Sequence, residues 1–234
     1  MKASEYLSHL AYDSVVFGYH DGNLKILIME YHNTGLFALP GGFVRVEEDL
    51  DHAVRRGLKE RTGLDQIFLE QFHTFGNRAR FQPDVMRTIL EANGHSPAGD
   101  YAWLLDRFIS VAYYALIDYR YVTPQPDALS DSCAWYAVNQ LPPLILDHTE
   151  IVTTALTTLR NNLDRKLHQG HLLPEKFTMN DLQRVYEAIL GTPLRRTSFQ
   201  RRILSLDIVE RHEKQYTGKA HKAPYLYSFK KANL

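Results

Sequence analysis

The chain of 234 residues carries 27 Lys+Arg against 27 Asp+Glu, a formal net charge of zero, and is 44% hydrophobic and 12% aromatic. This composition excludes gross disorder and fits one large or two small folded domains, while Cys133 as the lone cysteine excludes an internal disulfide framework or a multi-cysteine zinc site. The opening MKASEYLSHLAYDSVVFGYH lacks the apolar core of a secretion signal, and no stretch nears about 18 uninterrupted apolar residues, so the expectation is a cytoplasmic protein with no membrane partner.

In chain order, Ser14–Tyr19 and Leu24–Met29 read as strands joined by His20-Asp-Gly-Asn23, a hairpin signal. After the break Leu39-Pro-Gly-Gly-Phe43, the segment Glu47–Arg61 places Leu50, Ala53, Val54 and Leu58 at helical spacing. Residues 78–106, polar and rich in Pro and Gly, read as a long surface insertion with a short helix near Val85–Ala92. Strands follow at Ile109–Ile117 and Ala134–Val138, with Tyr113 and Trp135 as core positions, and then a helix from about Thr149 to Leu163. Its predicted start is a capping box of Asp147 and Glu150.

The zero net charge conceals two opposed parts. Residues 1–174 hold 15 basic and 21 acidic side chains, residues 175–234 hold 12 and 6, and from Arg195 onward the count is 10 to 3. Such asymmetry points to a nucleic-acid-binding segment and divides the chain near Pro174. Beyond that point Leu182, Val185, Tyr186, Ile189 and Leu190 form one buried helix face, stopped by Gly191-Thr-Pro-Leu194. Ser198 is a candidate cap for a second helix with Phe199, Ile203 and Leu206 inward, and His212–Phe229 reads as a hairpin. Helix, turn, helix and hairpin make a winged helix-turn-helix outline.

At about 100° per residue, Thr197, Arg201 and Ser205 point away from the buried face of that second helix. Ser198 and Gln200 flank this outward face, and Arg195 with Arg196 stands at the helix's N-terminal approach, where free backbone N–H groups favour phosphate. Lys219 and Lys222 add charge on the hairpin. These are the candidate DNA-binding residues, and neutralising phosphates with such a set gives salt-sensitive binding. The competing reading of an ordinary solvated face loses weight because the charge is one-sided.

In the first part, Gly42-Phe-Val-Arg-Val-Glu-Glu48, seven residues, then Arg56-Gly-Leu-Lys-Glu-Arg-Thr-Gly-Leu64 resembles a Nudix box, with Gly42, Glu48, Arg56, Leu58, Glu60, Gly63 and Leu64 on the pattern. The resemblance implies an α/β fold, a mixed sheet sandwiched by helices. Two positions depart from it, Gly57 and Arg61, where the hydrolases carry glutamates that hold Mg²⁺. Two of the three ligands are missing and one of them is replaced by a fixed positive charge, so metal-dependent hydrolysis is not expected, no metal or cofactor is assigned, and the pocket is expected to persist as a binding site.

The C-terminal segment, Phe177-Thr-Met-Asn-Asp-Leu182 through Ser198-Phe-Gln-Arg-Arg-Ile203, is similar to the winged helix of the Nudix-related transcriptional regulators, which include the NrtR and AraR repressors. That resemblance implies a homodimer on a palindromic operator of double-stranded DNA, with a small-molecule effector in the Nudix pocket. The expected organisation is a sensor domain over 1–160, a linker over 161–176 and a DNA-binding domain over 177–234.

For the effector, Arg45, Glu60 and Arg61 come from the box and its loop, Arg78 and Arg107 flank the insertion together with Arg80, and the resemblance adds His148. The effector class stays open between a pentose sugar and an ADP-ribose-type nucleotide. Strand wording at Ile109–Ile117 and Leu141–His148 looks closer to the sugar-responsive AraR group. The alternatives are a Nudix pyrophosphohydrolase acting on a nucleoside diphosphate derivative and an RNA-binding adaptor. The other histidines show no metal-site spacing.

Overall fold

The computed structural model describes residues 2–65, 67–167, 172–215 and 223–230. Its frame is set by β1 (Tyr6–His20), which turns at Asp21 and Gly22, both at positive φ, and returns as β2 (Asn23–Tyr31). Left-handed backbone at both turn residues matches the twist of paired strands, and Asp-Gly supplies it at low steric cost. Then come β3 (Phe37–Ala38), β4 (Gly41–Arg45), α1 (Leu50–Thr62), β5 (Leu69–Phe75) and α2 (Pro83–Ala92). They are followed by β6 (Ile109–Asp118), β7 (Ser130–Ala137), α3 (His148–Asn161) and the short α4 (Leu163–Lys166).

These strands make one mixed seven-stranded sheet with the path β3-β2-β1-β6-β5, β4 pairing with β1 and β7 with β2. β1 and β6 run parallel in the middle, Leu10 opposite Ile109 through Tyr19 opposite Asp118. A central strand covered on both faces has no alternation to show, and Tyr12–Tyr19 is buried without interruption. Val15 and Phe17 join Ile151 and Ala155 of α3 on one face, while Tyr12 and Val16 join Ala53, Val54 and Leu58 of α1 on the other. The result is the expected helix–sheet–helix sandwich.

The C-terminal part holds β8 (Phe177–Thr178), α5 (Met179–Leu190), α6 (Arg196–Ser205), β9 (Val209–Lys214) and β10 (Tyr225–Phe229), with sheet order β8-β10-β9. α5 opens on a capping box, Thr178 and Asp181 each bonding the other's backbone N–H, and ends at Gly191 with φ 73°. This is a winged helix. Its core is continuous with the sensor's: Leu182, Val185, Tyr186 and Phe199 belong to the cluster that contains Phe17, Leu159 and Leu163. Arg160 Nε of α3 donates to Ile189 O at 2.8 Å, and Asp164 accepts from Tyr186 Oη at 2.9 Å and Arg202 Nη2 at 2.7 Å.

Four expectations are corrected. Asp147 precedes α3 but its side chain makes no capping bond: Oδ2 accepts from Arg80 Nε at 3.0 Å, and the buried Oδ1 has no hydrogen-bond partner among the described residues. Arg195, not Ser198, is the N-cap residue of α6, again without a side-chain cap, and Ser198 lies inside the helix. Leu206 follows the end of α6 and is 38% exposed, leaving Phe199 and Ile203 to anchor the helix. The 78–106 insertion is partly core: α2 buries Ile89 and Leu90, and the segment buries Arg80 and Leu104. Strands β3, β4 and β5 were not foreseen from the sequence pattern.

Candidate functional site

A cavity of about 390 Å³ opens between β1, β4, α1, the insertion and the turn leading into α3, within the ordinary size of small-molecule sites. Its deep end is a buried polar group. Arg80, 7% exposed, donates to Asp13 Oδ2 (3.3 Å), Asp147 Oδ2 (3.0 Å) and Phe108 O (3.2 Å). Ser110 Oγ also donates to Asp13 Oδ2, at 2.5 Å. Two carboxylates share one guanidinium, which satisfies Arg80 and leaves the cluster with an excess negative charge.

His148, first residue of α3, completes this end. Its Nδ1 accepts the Leu39 backbone N–H at 3.0 Å, so the ring proton sits on Nε2, 3.6 Å from Asp13 Oδ1. Burial holds its pKa below the ordinary histidine value, outweighing the opposite pull of Asp13 and Asp147. A neutral N–H donor and a carboxylate acceptor therefore face the cavity together.

Along the α1 wall, Arg56 grips Glu48 through two nitrogens, at 2.6 and 3.1 Å, which pulls the Glu48 carboxyl below its usual pKa. Arg56 also lies 3.6 Å from Glu60. Arg61 is 11% exposed, donates to Asp127 at 2.8 Å and touches Met29 Sδ at 3.2 Å. Of the four guanidinium groups lining the cavity, only Arg45 has no ion pair among the described residues. Tyr6, Phe43 and Phe108 add an aromatic lining, Phe43 and Phe108 being 5.2 Å apart; Trp103, outside the lining, stacks on Tyr6 at 5.5 Å and meets Phe43 edge-on at 4.7 Å.

These residues do not fit a Nudix metal ion. Glu48 is committed to Arg56, Arg61 carries the wrong charge, and a Cβ at Gly57 would lie 2.1 Å from Tyr12 Oη, where there is no room for a side chain. Among the described residues no cluster of three His, Cys, Asp or Glu stands ready for a metal.

Of the seven sequence candidates for the effector, Arg45, Glu60, Arg61, Arg80 and His148 line the cavity. Arg78 and Arg107 do not: both are exposed, and Arg107 is turned to Gly76 O at 2.7 Å. Asp13 and Tyr12 escaped the sequence reading, since a buried position on a central strand carries no pattern that marks function.

In the winged helix, the N-cap Arg195 and Arg196, Thr197, Ser198, Arg201 and Ser205 of α6 are exposed and Gln200 is half-buried. Arg195, Arg196 and Arg201 form no ion pair among the described residues, whereas Arg202 is tied to Asp164. On the hairpin, Arg211 and Lys214 lie 4.7 and 5.2 Å from the ring of the exposed Tyr225. Lys219 and Lys222 lie outside the described residues. No helix among the described residues is long and apolar enough to cross a membrane.

Comparison with known proteins agrees with both halves. Residues 9–155 match the NUDIX domain family and residues 169–229 the NrtR DNA-binding winged helix domain. An Acinetobacter baylyi protein described as an ADPR responsive transcriptional repressor is 32% identical over 215 residues, spanning 88% of this chain and 77% of that protein. The crystal structure of Shewanella oneidensis NrtR complexed with a 27mer DNA superimposes with a TM-score of 0.67 at 30% identity, covering 95% of this chain and 94% of that one. A MutT/nudix family protein from Enterococcus faecalis reaches the same TM-score at 19% identity, over 96% of this chain and 87% of its own, and shares the fold. The chain thus belongs to the Nudix family and, within it, to the transcriptional regulators that join a Nudix domain to an NrtR-type winged helix.

Proposed function

We propose that the protein is an effector-controlled repressor without hydrolase activity, a homodimer that reads a palindromic operator through α6 and releases it when the sensor cavity fills. The sensor spans 1–160, the connection 161–176 and the reader 177–234. Helix α3 carries this reading. Its first residue, His148, lines the cavity, the preceding Asp147 holds Arg80, and its last turn is bonded to α5 of the reader through Arg160. A ligand that shifts the Asp13–Arg80–Asp147 cluster acts on the helix that seats the DNA-binding unit, and by reciprocity DNA must alter the ligand's affinity by the same factor.

The cavity favours a neutral polyhydroxylated effector. Asp13 and the His148 Nε2–H offer an acceptor and a donor for adjacent hydroxyls, the cluster's excess charge is negative, and three of the four lining guanidinium groups are already neutralised. A pentose satisfies these groups without adding charge. The second reading, an ADP-ribose-type nucleotide, is favoured by the Acinetobacter relative; Arg45 would meet its diphosphate and the Tyr6 and Phe43 rings its base.

Thermal-shift titration with pentoses and with ADP-ribose, paired with fluorescence anisotropy on duplex DNA from upstream of the gene, tests both. A ligand of the folded state raises Tm with concentration, and the same ligand is expected to change operator affinity. Repeated turnover of ADP-ribose with Mg²⁺ would refute the non-enzymatic reading, and a ligand that binds without altering DNA affinity would refute the coupling.

A further inference from the structure

Gly57 stands at a helix position where the Nudix pattern puts a carboxylate, and the structure supplies a reason beyond the loss of a ligand. Tyr12, on the buried half of β1, reaches across the sheet–helix gap until its hydroxyl rests against the backbone of α1. A Cβ built at Gly57 would lie 2.1 Å from Tyr12 Oη and 3.1 Å from Cζ, and one at Gly42 would lie 2.5 Å from the same oxygen. Contacts under 3.0 Å require something to move, and Tyr12 is 3% exposed in a packed cluster with Val54 and Leu58. Arg61, one turn along the helix, is anchored to Asp127.

We propose that Tyr12 is a plug for the Nudix metal site: its ring and hydroxyl occupy the room a carboxylate at position 57 needs, so that repairing the box on α1 alone does not restore cation binding. The cavity accordingly takes its ligand without a divalent ion, with Tyr12 and the Arg61–Asp127 pair forming its wall on the Gly57 side. Burial keeps this hydroxyl protonated, its pKa pushed up to about 12, so it meets a ligand as a neutral hydrogen-bonding group. Only the metal-independence of ligand binding rests on the effector reading. The plug does not, and it is tested on the unliganded protein.

The first readout is the sign of a methyl group. In an ordinary helix interior Gly→Ala raises stability. Here Gly57→Ala is expected to lower Tm by roughly 3–10 °C, the range for forcing a side chain into a packed site in a protein of this size. In a Tyr12→Phe background, with Oη gone, the loss is expected to shrink. A rise in Tm, or equal losses in both backgrounds, would overturn the plug.

The second readout is Mn²⁺ alone, followed by electron paramagnetic resonance. Wild type and the Gly57→Glu/Arg61→Glu variant are expected to leave Mn²⁺ free, whereas adding Tyr12→Ala to that pair yields a bound ion. One equivalent held by wild type and lost in Glu60→Gln, or equal binding with and without Tyr12, would refute the proposal. Should the triple variant fail to fold, the Gly57→Ala comparison decides alone.

Discussion

Arginines in the sensor and arginines in the reader do opposite work. Around the cavity Arg56, Arg61 and Arg80 are each committed to carboxylates, and Arg80 is buried between two of them. On α6, Arg195, Arg196 and Arg201 are exposed and none forms an ion pair among the described residues. A buried guanidinium is tolerable only when paired and hydrogen-bonded, so in the sensor it is spent on holding the site together. An exposed, unpaired one keeps its charge for a polyanion. The net charges of the two parts, negative before Pro174 and positive after it, are the sum of these local arrangements.

The strongest way to break the contrast is to remove a committed arginine. Arg80→Ala leaves Asp13 and Asp147 buried without their cation, a loss of about 3–5 kcal/mol. Chemical denaturation should register it, and a loss under about 1 kcal/mol would mean that water reaches the cluster. Next is a spare arginine. Arg201→Ala should leave stability unchanged and weaken operator binding by roughly 10–100-fold, the range for a base-edge contact. Equal weakening on random DNA would instead make Arg201 a phosphate contact. Arg202→Ala is the control between them: it breaks the pair with Asp164, a half-exposed bridge worth about 0–1 kcal/mol.

The large features were legible because they rest on local signals. The box, α1, the Asp-Gly hairpin, the charge division and both reader helices follow from spacing and turn chemistry within a few residues. What was not legible depends on partners far along the chain. Arg80 looked like an exposed loop charge because Asp13 and Asp147 are each 67 positions away. Asp147 read as a helix cap, but its carboxylate turns to Arg80, 67 positions away, and makes no capping bond. β5, Leu-Glu-Gln-Phe-His-Thr-Phe at the sheet edge, buries only Phe75, so its composition carries no period. Gly57 read as a missing ligand, and only the cross-layer approach of Tyr12 shows that its lack of a side chain has a steric cause.

The smallest expected effect bears on whether the deep end of the cavity is as dry as its burial implies. His148 is held neutral in the folded protein, its pKa below the usual value of about 6.5. Above that value neither state carries the proton and the residue adds no pH dependence. Below it the unfolded chain takes up a proton that the folded chain refuses, so stability falls as pH drops, until the lowered folded pKa is reached. Denaturation at a series of pH values from 7.5 to about 5 should therefore slope downward before the carboxylates begin to titrate. His148→Asn, which keeps an acceptor for the Leu39 N–H and removes the titration, should flatten that slope. An unchanged slope would assign it to other groups and show that His148 protonates freely, as it would if water already shared the site with Asp13.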